Sequence, residues 1–403
     1  MTQRRMPRWS ELRPLLQGPP RTLDATARRL RRAASVEDLR ELARRRVPRA
    51  VFDYTDGGAG RELALRRSRA AFDRVELVPS TLRDVSSVDT STTLLGARSA
   101  MPLVLAPTGF TRLMNHQGET AVARAAARAG VPYALSTMGT TSVEVLAERV
   151  PGGRRWFQLY LWRDREASTE LVRRAARAGY EALVLTVDTP VGGLRLRDVR
   201  NGMTIPPAIT GRTVLDGARH PSWWLNLLTT EPLEFATLTS FAGTVSDLAT
   251  QVFDPRSTLA DLRWLREQWP GRLVVKGVVT VDDAVAAVDA GVDAVVVSNH
   301  GGRQLDLSPT PLEVLPAVAA AVGDRAEVYV DGGVLSGSDV AAAVALGARA
   351  VLVGRAYLYG LMAGGEAGVD RVLEILRREL VTTMQLTGLT SVPELTADRV
   401  RLR

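Results

Sequence analysis

Eight short apolar runs, separated by alanine-rich helical patterns, constrain the fold of this chain more than any other feature of its sequence. The runs lie at residues 103–106, 133–135, 156–159, 183–187, 273–275, 294–297, 328–330 and 351–353. Four of the intervening helical patterns end in glycine, as helix termini favour, namely Gly130, Gly179, Gly291 and Gly347. Such runs are typical of strands buried on both faces. The alternation predicts an α/β protein, a parallel (β/α)8 TIM barrel whose active site lies at the carboxyl ends of the strands.

The length of 403 residues allows one barrel of roughly 250 residues with extensions. We expect an N-terminal helical extension over 1–100 that packs on the barrel, a catalytic barrel over 101–380 and a C-terminal tail over 381–403. In the extension, Ser35 followed by Asp38 predicts the start of a helix that continues through 39–46. A second helix is expected over 50–55, ending at Gly57-Gly58.

One connection is too long for an ordinary barrel unit, because about eighty residues separate Asp188 from Leu273. The excess predicts an inserted, partly mobile active-site loop at about 200–255, following strand four. This loop contains the apolar run 221–228, Pro-Ser-Trp-Trp-Leu-Asn-Leu-Leu. The run could contact a membrane weakly, pack over the barrel mouth or pack against a neighbouring subunit.

The composition excludes several classes of chemistry. The chain has no cysteine, so disulfides, thiolate zinc sites and cysteine nucleophiles are absent, and no metal site is expected. The first residues lack the apolar core of a signal peptide, and no run of 18 apolar residues occurs, so we expect a cytoplasmic protein.

The formal net charge is +8, which raises the question of a nucleic-acid or anionic-membrane partner. Much of the excess lies in residues 28–32 and 44–46, within helical periodicity. A solvated helix face accounts for it, and no nucleic-acid partner is expected. The alternative of another class, a basic binding protein without catalysis, predicts a colourless protein whose binding falls steeply with salt.

A single lysine stands among 52 lysines and arginines. This residue, Lys276, ends the fifth apolar run. In a chain that otherwise uses arginine, one lysine indicates a site that needs a compact ammonium group, unless it was retained by chance.

The string 298–306, Ser-Asn-His-Gly-Gly-Arg-Gln-Leu-Asp, follows the sixth apolar run directly. His300 offers a proton acceptor, and Arg303 offers a guanidinium suited to a carboxylate. Two glycines between them let a ligand approach the backbone. The alternative is an ordinary loop whose histidine makes only structural hydrogen bonds. This alternative does not account well for the histidine, the arginine and the glycines together. The other histidines, His116 and His220, are weaker candidates, since one precedes a helix and one lies in the long loop.

This nine-residue string resembles the signature of the FMN-dependent α-hydroxy acid oxidising enzymes, which include glycolate oxidase, L-lactate dehydrogenase, mandelate dehydrogenase and flavocytochrome b2. The resemblance extends from about residue 52 to about residue 368, and the stretch 195–203 is most similar to bacterial lactate-oxidising members. It implies noncovalent FMN, oxidation of an L-2-hydroxy acid to the 2-oxo acid with L-lactate ranked first, and a homo-oligomer, tetramer or octamer. FAD is disfavoured because the phosphate loops reach only a mononucleotide.

The resemblance also implies roles for individual residues. The implied FMN contacts are Pro107, Thr108, Gly109, Ser136, Gln158, Thr186, Lys276, Ser298, Asp331, Gly332, Gly333, Gly354 and Arg355. The implied substrate ligands are Tyr54, Tyr160, Arg195 and Arg303, with Met138 and Gly192 around the substrate side chain. Lys276 would stabilise the reduced flavin, and the last two strand ends would hold its phosphate.

Catalysis is expected from His300, Asp331 and Tyr160. His300 would take the hydroxyl proton while hydrogen leaves C2 for flavin N5, and Asp331 would orient the imidazole. Asp188, which follows strand four, is expected to contact the site residues rather than the cofactor or the substrate. The sequence does not decide between hydride and carbanion transfer.

One position departs from the family pattern, because Leu335 stands where an arginine usually follows Asp-Gly-Gly-hydrophobic. One phosphate contact is therefore missing, and Arg355 and backbone amides must contribute more. A barrel that uses these loops for a sugar phosphate or nucleotide without flavin is the alternative within enzymes, but it would not need Lys276, His300 and Arg303 together.

Members of the family that the string resembles pass their electrons either to a quinone or to oxygen. Gly109 resembles the glycine of dehydrogenases that react poorly with oxygen, and the apolar run 221–228 could bring the flavin near a membrane. We therefore expect a quinone or similar acceptor and a peripheral place at the inner face of the cell membrane, with a 2-hydroxy acid oxidase of glycolate, lactate or mandelate type as the alternative.

Overall fold

The computed structural model of the chain describes residues 5–13, 24–202, 218–236 and 253–403. Its strands are β1 (Val75–Leu77), β2 (Thr92–Leu94), β3 (Ala97–Ser99), β4 (Leu103–Leu105), β5 (Tyr133–Ser136), β6 (Arg155–Leu159), β7 (Ala182–Thr186), β8 (Arg272–Val278), β9 (Ala294–Val297), β10 (Glu327–Asp331), β11 (Ala350–Val353) and β12 (Val400–Leu402). Strands β4 to β11 are parallel and close into a barrel. All eight predicted strands are present, and the TIM barrel is confirmed.

Helices alternate with these strands around the barrel. The α-helices in the described ranges are α1 (Trp9–Leu12), α2 (Ala25–Arg32), α3 (Val36–Arg46), α4 (Arg49–Asp56), α5 (Leu63–Asp73), α6 (Thr111–Met114), α7 (Gly118–Ala129), α8 (Val143–Arg149), α9 (Arg165–Arg177), α10 (Leu196–Asn201), α11 (Pro221–Leu228), α12 (Leu259–Gln268), α13 (Val281–Asp289), α14 (Pro311–Val322), α15 (Gly337–Ala345) and α16 (Arg355–Leu386). The predicted start of α3 is confirmed: the Ser35 hydroxyl accepts from the Asp38 amide, and the Asp38 carboxylate accepts from the Ser35 amide.

The interior of the barrel is filled by alternate residues of its strands. The largest of these side chains are Trp156 and Tyr329, whose rings meet edge to face at 5.8 Å. Leu94 and Leu95, from the β2–β3 hairpin, pack into the same cluster. The Leu95 amide donates to Glu327 at the start of β10, so this hairpin closes the amino-terminal end of the barrel. The extension over 1–100 is therefore not wholly helical.

The described part of the extension contacts the last helix. Arg371 and Arg378 of α16 donate to the backbone carbonyls of Ala33 and Ala34, each at 2.8 Å. The arginines at the predicted solvated faces are exposed at positions 28, 31, 32, 44 and 45. These five arginines lie in solvent, in agreement with the interpretation of a solvated face.

The end of the chain is more ordered than a tail. Helix α16 continues past the expected boundary at residue 380 to Leu386, with a kink at Gly364 and Gly365. Strand β12 then pairs antiparallel with β1, which fastens the C-terminal segment to the extension. Within the described ranges, no helix is both long enough and apolar enough to cross a bilayer.

The long connection between β7 and β8 lies partly outside the described residues, at 203–217 and 237–252, and the former range includes Met203. Its described parts are α10, α11, residues 218–236 around α11, and the approach to α12. The indole Nε1 of Trp223 in α11 donates to the Leu113 carbonyl at 2.9 Å, and Phe235 packs edge to face on Phe110 at 4.3 Å. These contacts support packing over the barrel mouth.

Candidate active site

A cavity of about 1080 Å³ opens at the carboxyl ends of the barrel strands. Of the residues expected to bind cofactor or substrate, it is lined by Tyr54, Pro107, Thr108, Gly109, Ser136, Gln158, Tyr160, Thr186, Arg195, Lys276, His300, Arg303, Asp331, Gly332, Gly333, Gly354 and Arg355. Ser298 is the exception: it lies behind the wall, where its hydroxyl accepts from Lys276 Nζ at 2.9 Å and from the His300 amide at 3.0 Å. The barrel therefore brings one predicted site together from residues up to 301 positions apart.

Three buried polar atoms in the cavity wall have no hydrogen-bond partner among the described residues: Gln158 Nε2, Thr186 Oγ1 and Asp331 Oδ1. Gln158 is fixed by its other amide atom, Oε1, which accepts from the Ser136 hydroxyl at 3.0 Å. A buried polar atom that stays unpaired costs about 1–3 kcal/mol. A donor, a hydroxyl and an acceptor aimed into one cavity fit a planar heterocycle with several polar edge atoms, which is the character of a flavin.

Lys276 carries the buried positive charge of the cavity. Its Nζ lies 2.9 Å from Asp331 Oδ2, and both side chains are almost fully buried. Burial alone would lower the pKa of the Lys276 ammonium, but the charges of Asp331 and Asp188 outweigh burial and raise that pKa. The ammonium therefore stays protonated beside Thr186, its neighbour across the β7–β8 pair.

The partner of the predicted base differs from the sequence expectation. His300 Nδ1 lies 2.9 Å from Asp188 Oδ1, whereas Asp331 forms an ion pair with Lys276. The expectation that Asp331 orients the imidazole is thus wrong for this structure. Asp331 lies deeper in the barrel than His300, because it is the last residue of β10. Asp188 and His300 lie beyond the strands, two residues after the end of β7 and three residues after the end of β9.

Asp188 is an anion in this arrangement. Burial would raise the pKa of its carboxyl, but the charge of His300, their hydrogen bond and Lys276 hold the pKa below its ordinary value. An ionised carboxylate can only accept, so His300 Nδ1 carries the hydrogen and leaves Nε2 as the basic nitrogen.

The backbone around the base is unusual. His300, Gly301 and Gly302 all have positive φ, at 58°, 61° and 73°. The left-handed region costs a non-glycine residue about 1–2 kcal/mol, and the two glycines avoid that cost. The tight turn brings Arg303 back to the cavity three residues after the histidine.

Two arginines face one tyrosine at the outer end of the cavity. The guanidinium carbons of Arg303 and Arg195 lie 5.0 and 5.5 Å from the centre of the Tyr54 ring. Burial and then the charge of Arg195 lower the pKa of Arg303 to about 10. Both groups still carry a positive charge at neutral pH, and a carboxylate between them would relieve their repulsion.

Tyr160 lines the same cavity, and the charges of both arginines act on its phenol. Burial raises the pKa of its phenol, and the Asp188 and Tyr54 charges raise it further. The phenol is therefore a neutral hydrogen-bond donor rather than a phenolate.

The wall around the substrate side chain includes aromatic residues that sequence reasoning missed. Phe253 packs edge to face on Tyr160, with ring centres 5.4 Å apart, and a Cβ at Gly192 would lie 4.0 Å from its ring. A Cβ at Gly109 would lie 2.8 Å from the Cβ of Met138, so glycine there accommodates Met138. Phe235 and Phe253 come from the inserted segment, and no local pattern placed them in the site.

Gln304, whose role the sequence did not predict, fixes the turn after β7. Gln304 Nε2 donates to the carbonyls of Asp188 and Val191, at 3.1 and 2.9 Å. Its Oε1 accepts from the Gly193 amide at 2.9 Å. Gln304 thereby ties the loop that carries His300 to the loop that carries Asp188.

A further part of the cavity wall is formed by glycine loops and Arg355. Gly332 and Gly333 have φ of 91° and 89°, and Gly354 begins the approach to α16. The Arg355 guanidinium donates to the carbonyls of Thr55, Gly57 and Gly301, between 2.7 and 3.0 Å. This residue, expected to contact phosphate, also joins three loops. The glycine loops fit a phosphate monoester.

The three histidines all fall in the described ranges, and His300 alone lines this cavity. His116 lies beside Arg112 and Trp223 in a separate small pocket. The cavity therefore brings together one histidine, two arginines suited to a carboxylate and glycine loops suited to a phosphate, a combination that fits a barrel enzyme acting on a small anionic substrate with a mononucleotide cofactor.

Comparison with known proteins agrees with this class. The model of the family described as FMN-dependent dehydrogenase matches residues 43–402. The chain belongs to this family, and it is an FMN-dependent oxidoreductase acting on CH-OH groups.

Three similar proteins illustrate the relationship. A protein of Mycobacterium tuberculosis (strain ATCC 25618 / H37Rv), provisionally named an L-lactate dehydrogenase, is 56% identical over 397 residues, covering 98% of this chain and 96% of that protein. The L-lactate dehydrogenase of Caulobacter vibrioides (strain NA1000 / CB15N) is 46% identical, covering 89% and 95%. The crystal structure of the monotopic membrane protein (S)-mandelate dehydrogenase is 39% identical, with a TM-score of 0.88, and covers 92% of this chain and 100% of that chain.

Proposed function

We propose that this enzyme oxidises L-lactate to pyruvate. The observation that carries the proposal is that His300, which pairs with Asp188, lines the same cavity as Arg195 and Arg303. A base and a carboxylate clamp that share one cavity suit a small molecule with a hydroxyl next to a carboxylate. The similarity to proteins named L-lactate dehydrogenase supports the choice of lactate.

The substrate carboxylate binds between Arg195 and Arg303. Arg303 is positioned by its hydrogen bond to the Tyr54 carbonyl, and Arg195 by its ion pair with Asp198, both at 2.6 Å. The Tyr54 and Tyr160 phenols donate to the carboxylate or to the hydroxyl. Binding by two guanidinium groups fixes the orientation of C2, which a single cation would leave free to rotate.

His300 Nε2 accepts the hydroxyl proton during oxidation. The positive charge that develops on the imidazole is stabilised by Asp188, which holds the Nδ1 hydrogen. FMN, when bound, supplies the two-electron acceptor. Lys276 keeps a positive charge in the cavity wall, so electron acceptance there is favoured electrostatically.

FMN is held by backbone and side chains of seven strand ends. The residues proposed to hold it are Pro107, Thr108, Gly109, Ser136, Gln158, Thr186, Lys276, Asp331, Gly332, Gly333, Gly354 and Arg355. Gln158 and Thr186 satisfy the polar edge of the ring, and the glycine loops satisfy the phosphate. Ser298 acts through Lys276, since its hydroxyl accepts from that ammonium.

The residues around the substrate side chain predict the order of the rates on different hydroxy acids. Met138 and Phe253 line the cavity, and we propose that they bound a small apolar space over C3. We therefore expect kcat/KM for L-lactate to exceed that for glycolate by about tenfold, the effect of one methyl group. L-mandelate should be slower than L-lactate because its ring must displace Met138 or Phe253. Steady-state rates on the three acids, with D-lactate as the stereochemical control, test the order. A strong preference for L-mandelate would overturn it.

The electron acceptor is proposed to be a quinone. Met138 occupies the space beside Gly109, where the resemblance expects the reactive part of the flavin. We expect slow formation of hydrogen peroxide and fast reduction of an artificial dye or a soluble quinone by the lactate-reduced enzyme. Oxygen consumption and dye reduction measured on the same preparation decide the matter. Oxygen turnover equal to dye turnover would make the protein an oxidase.

We further propose a homo-oligomer, tetramer or octamer, located in the cytoplasm and bound weakly at the inner face of the membrane through α11. Leu225 and Leu228 of this helix are 62% and 71% exposed, whereas Trp223 is anchored to the barrel. We expect co-sedimentation with anionic vesicles to fall when both leucines are replaced with serine. Unchanged co-sedimentation would remove α11 from membrane contact, and sedimentation velocity measures the oligomer.

A further inference from the structure

One face of α5 borders the cavity near its glycine loops. Glu62, which precedes the helix, and Leu65, Arg66 and Arg69 all line the cavity. Their spacing of three, four and seven residues places them on one side of a helix. Helix α5 lies against the glycine loop at Gly333, because a Cβ at Gly333 would lie 2.4 Å from the Ser68 carbonyl oxygen of α5.

Three other arginines that line the cavity already have strong partners. Arg69 donates twice to Asp339, at 2.6 and 3.0 Å, and once to the Gly333 carbonyl. Arg40 donates twice to Asp56, at 2.6 and 3.0 Å. The Arg355 guanidinium is bound by three carbonyls. Each of these groups holds the walls of the cavity together.

Arg66 differs from these residues. Among the described residues, its side chain donates one hydrogen bond, from Nη1 to the Arg61 carbonyl at 2.8 Å. It forms no ion pair with an acidic residue in the part of the chain that the structure describes, and its side chain is exposed. The guanidinium is therefore available to an anion at the cavity edge.

The glycine loops alone leave a phosphate under-neutralised. A phosphate monoester carries about −1.5 to −2 charges at neutral pH. Leu335, which also lines the cavity, has an apolar side chain packed on the core, where an arginine is expected from the resemblance. Among the described residues, Arg66 is the nearby cation that has a single side-chain hydrogen bond and no acidic partner, and it lies one helical turn before Arg69.

We propose that Arg66 supplies the guanidinium that completes the phosphate site of FMN, in place of the side chain at position 335. The proposal rests on FMN binding, as the proposed function does, but it does not depend on which hydroxy acid is oxidised. It assigns to α5 of the N-terminal extension a direct part in holding the cofactor, in addition to its packing on the barrel.

The test is the affinity of apoprotein for FMN and for riboflavin, which lacks the phosphate, measured by quenching of flavin fluorescence. We expect Arg66→Gln to weaken FMN by about tenfold, as for loss of one hydrogen bond to a charged group, and to leave riboflavin unchanged. The matched control is Arg67→Gln, which removes the same charge from an exposed neighbour that does not line the cavity. This control should bind both flavins normally.

A second variant tests the exchange of positions. Adding Leu335→Arg to Arg66→Gln should restore FMN affinity toward that of the natural chain. Equal FMN affinity in the Arg66 and Arg67 variants would overturn the proposal, and so would equal losses of FMN and riboflavin in the Arg66 variant. The comparison of Arg66 with Arg67 stands even if the Leu335 variant does not fold. Failure of the natural chain to oxidise lactate would leave these affinities unaffected.

Discussion

Replacing His300 with glutamine is expected to lower the rate of flavin reduction by L-lactate by about 10²–10⁴-fold, while FMN stays bound and the fold is kept. Glutamine has similar size and can still donate to Asp188, so the main loss is the basic nitrogen that accepts the hydroxyl proton. Stopped-flow absorbance under anaerobic conditions measures the reduction step directly. The flavin spectrum of the same sample reports cofactor binding.

The chain offers a control for this substitution. His116→Gln changes a histidine that lies outside the cavity, so it should reduce flavin at the normal rate. Near-normal reduction by the His300 variant would remove this residue from the mechanism. Loss of FMN from the His300 variant would mean that the residue serves the cofactor site instead.

Replacing Asp188 with asparagine is expected to lower the reduction rate by about 10²-fold or more. The amide can donate to Nδ1 and so stabilise the tautomer in which Nε2 carries the hydrogen, and it provides no charge opposite the protonated imidazole. The rate constant of reduction should fall while the affinity for L-lactate changes little, because Asp188 does not hold the carboxylate. Anaerobic stopped-flow experiments over a range of lactate concentrations separate the two quantities.

Asp331→Asn is the matched comparison, since it removes the same charge from the carboxylate that pairs with Lys276. We expect this variant to alter FMN affinity and the flavin spectrum while His300 keeps its partner. A larger loss of reduction rate in the Asp331 variant, with normal FMN binding, would contradict the assignment of Asp188 as the partner of the base.

The sequence predicted the parts of the molecule that follow from local patterns. Each barrel strand is an apolar run with its own turn signals, and helices such as α3 carry a capping residue, so their places could be derived without tertiary information. The roles of the site residues came from the resemblance to the family, and the barrel explains why they meet, because parallel strands bring their carboxyl ends to one edge.

The parts that were missed depend on distance in space. The pairing of His300 with Asp188 rather than Asp331 is set by how far each residue lies beyond its strand, a depth that periodicity does not encode. Phe253 reaches Tyr160 from a segment with no regular pattern. The β2–β3 hairpin closes the barrel through Leu94 and Leu95, whose short apolar stretch has no signal that separates it from a loop.

The proposed oxidation of L-lactate is tested most directly by one anaerobic addition of L-lactate to the FMN-loaded protein. We predict that the absorbance of oxidised flavin is lost within seconds, that one pyruvate forms for each flavin reduced, and that D-lactate has no effect. An unchanged flavin spectrum in protein that is fully loaded with FMN would contradict the assignment of L-lactate as the substrate.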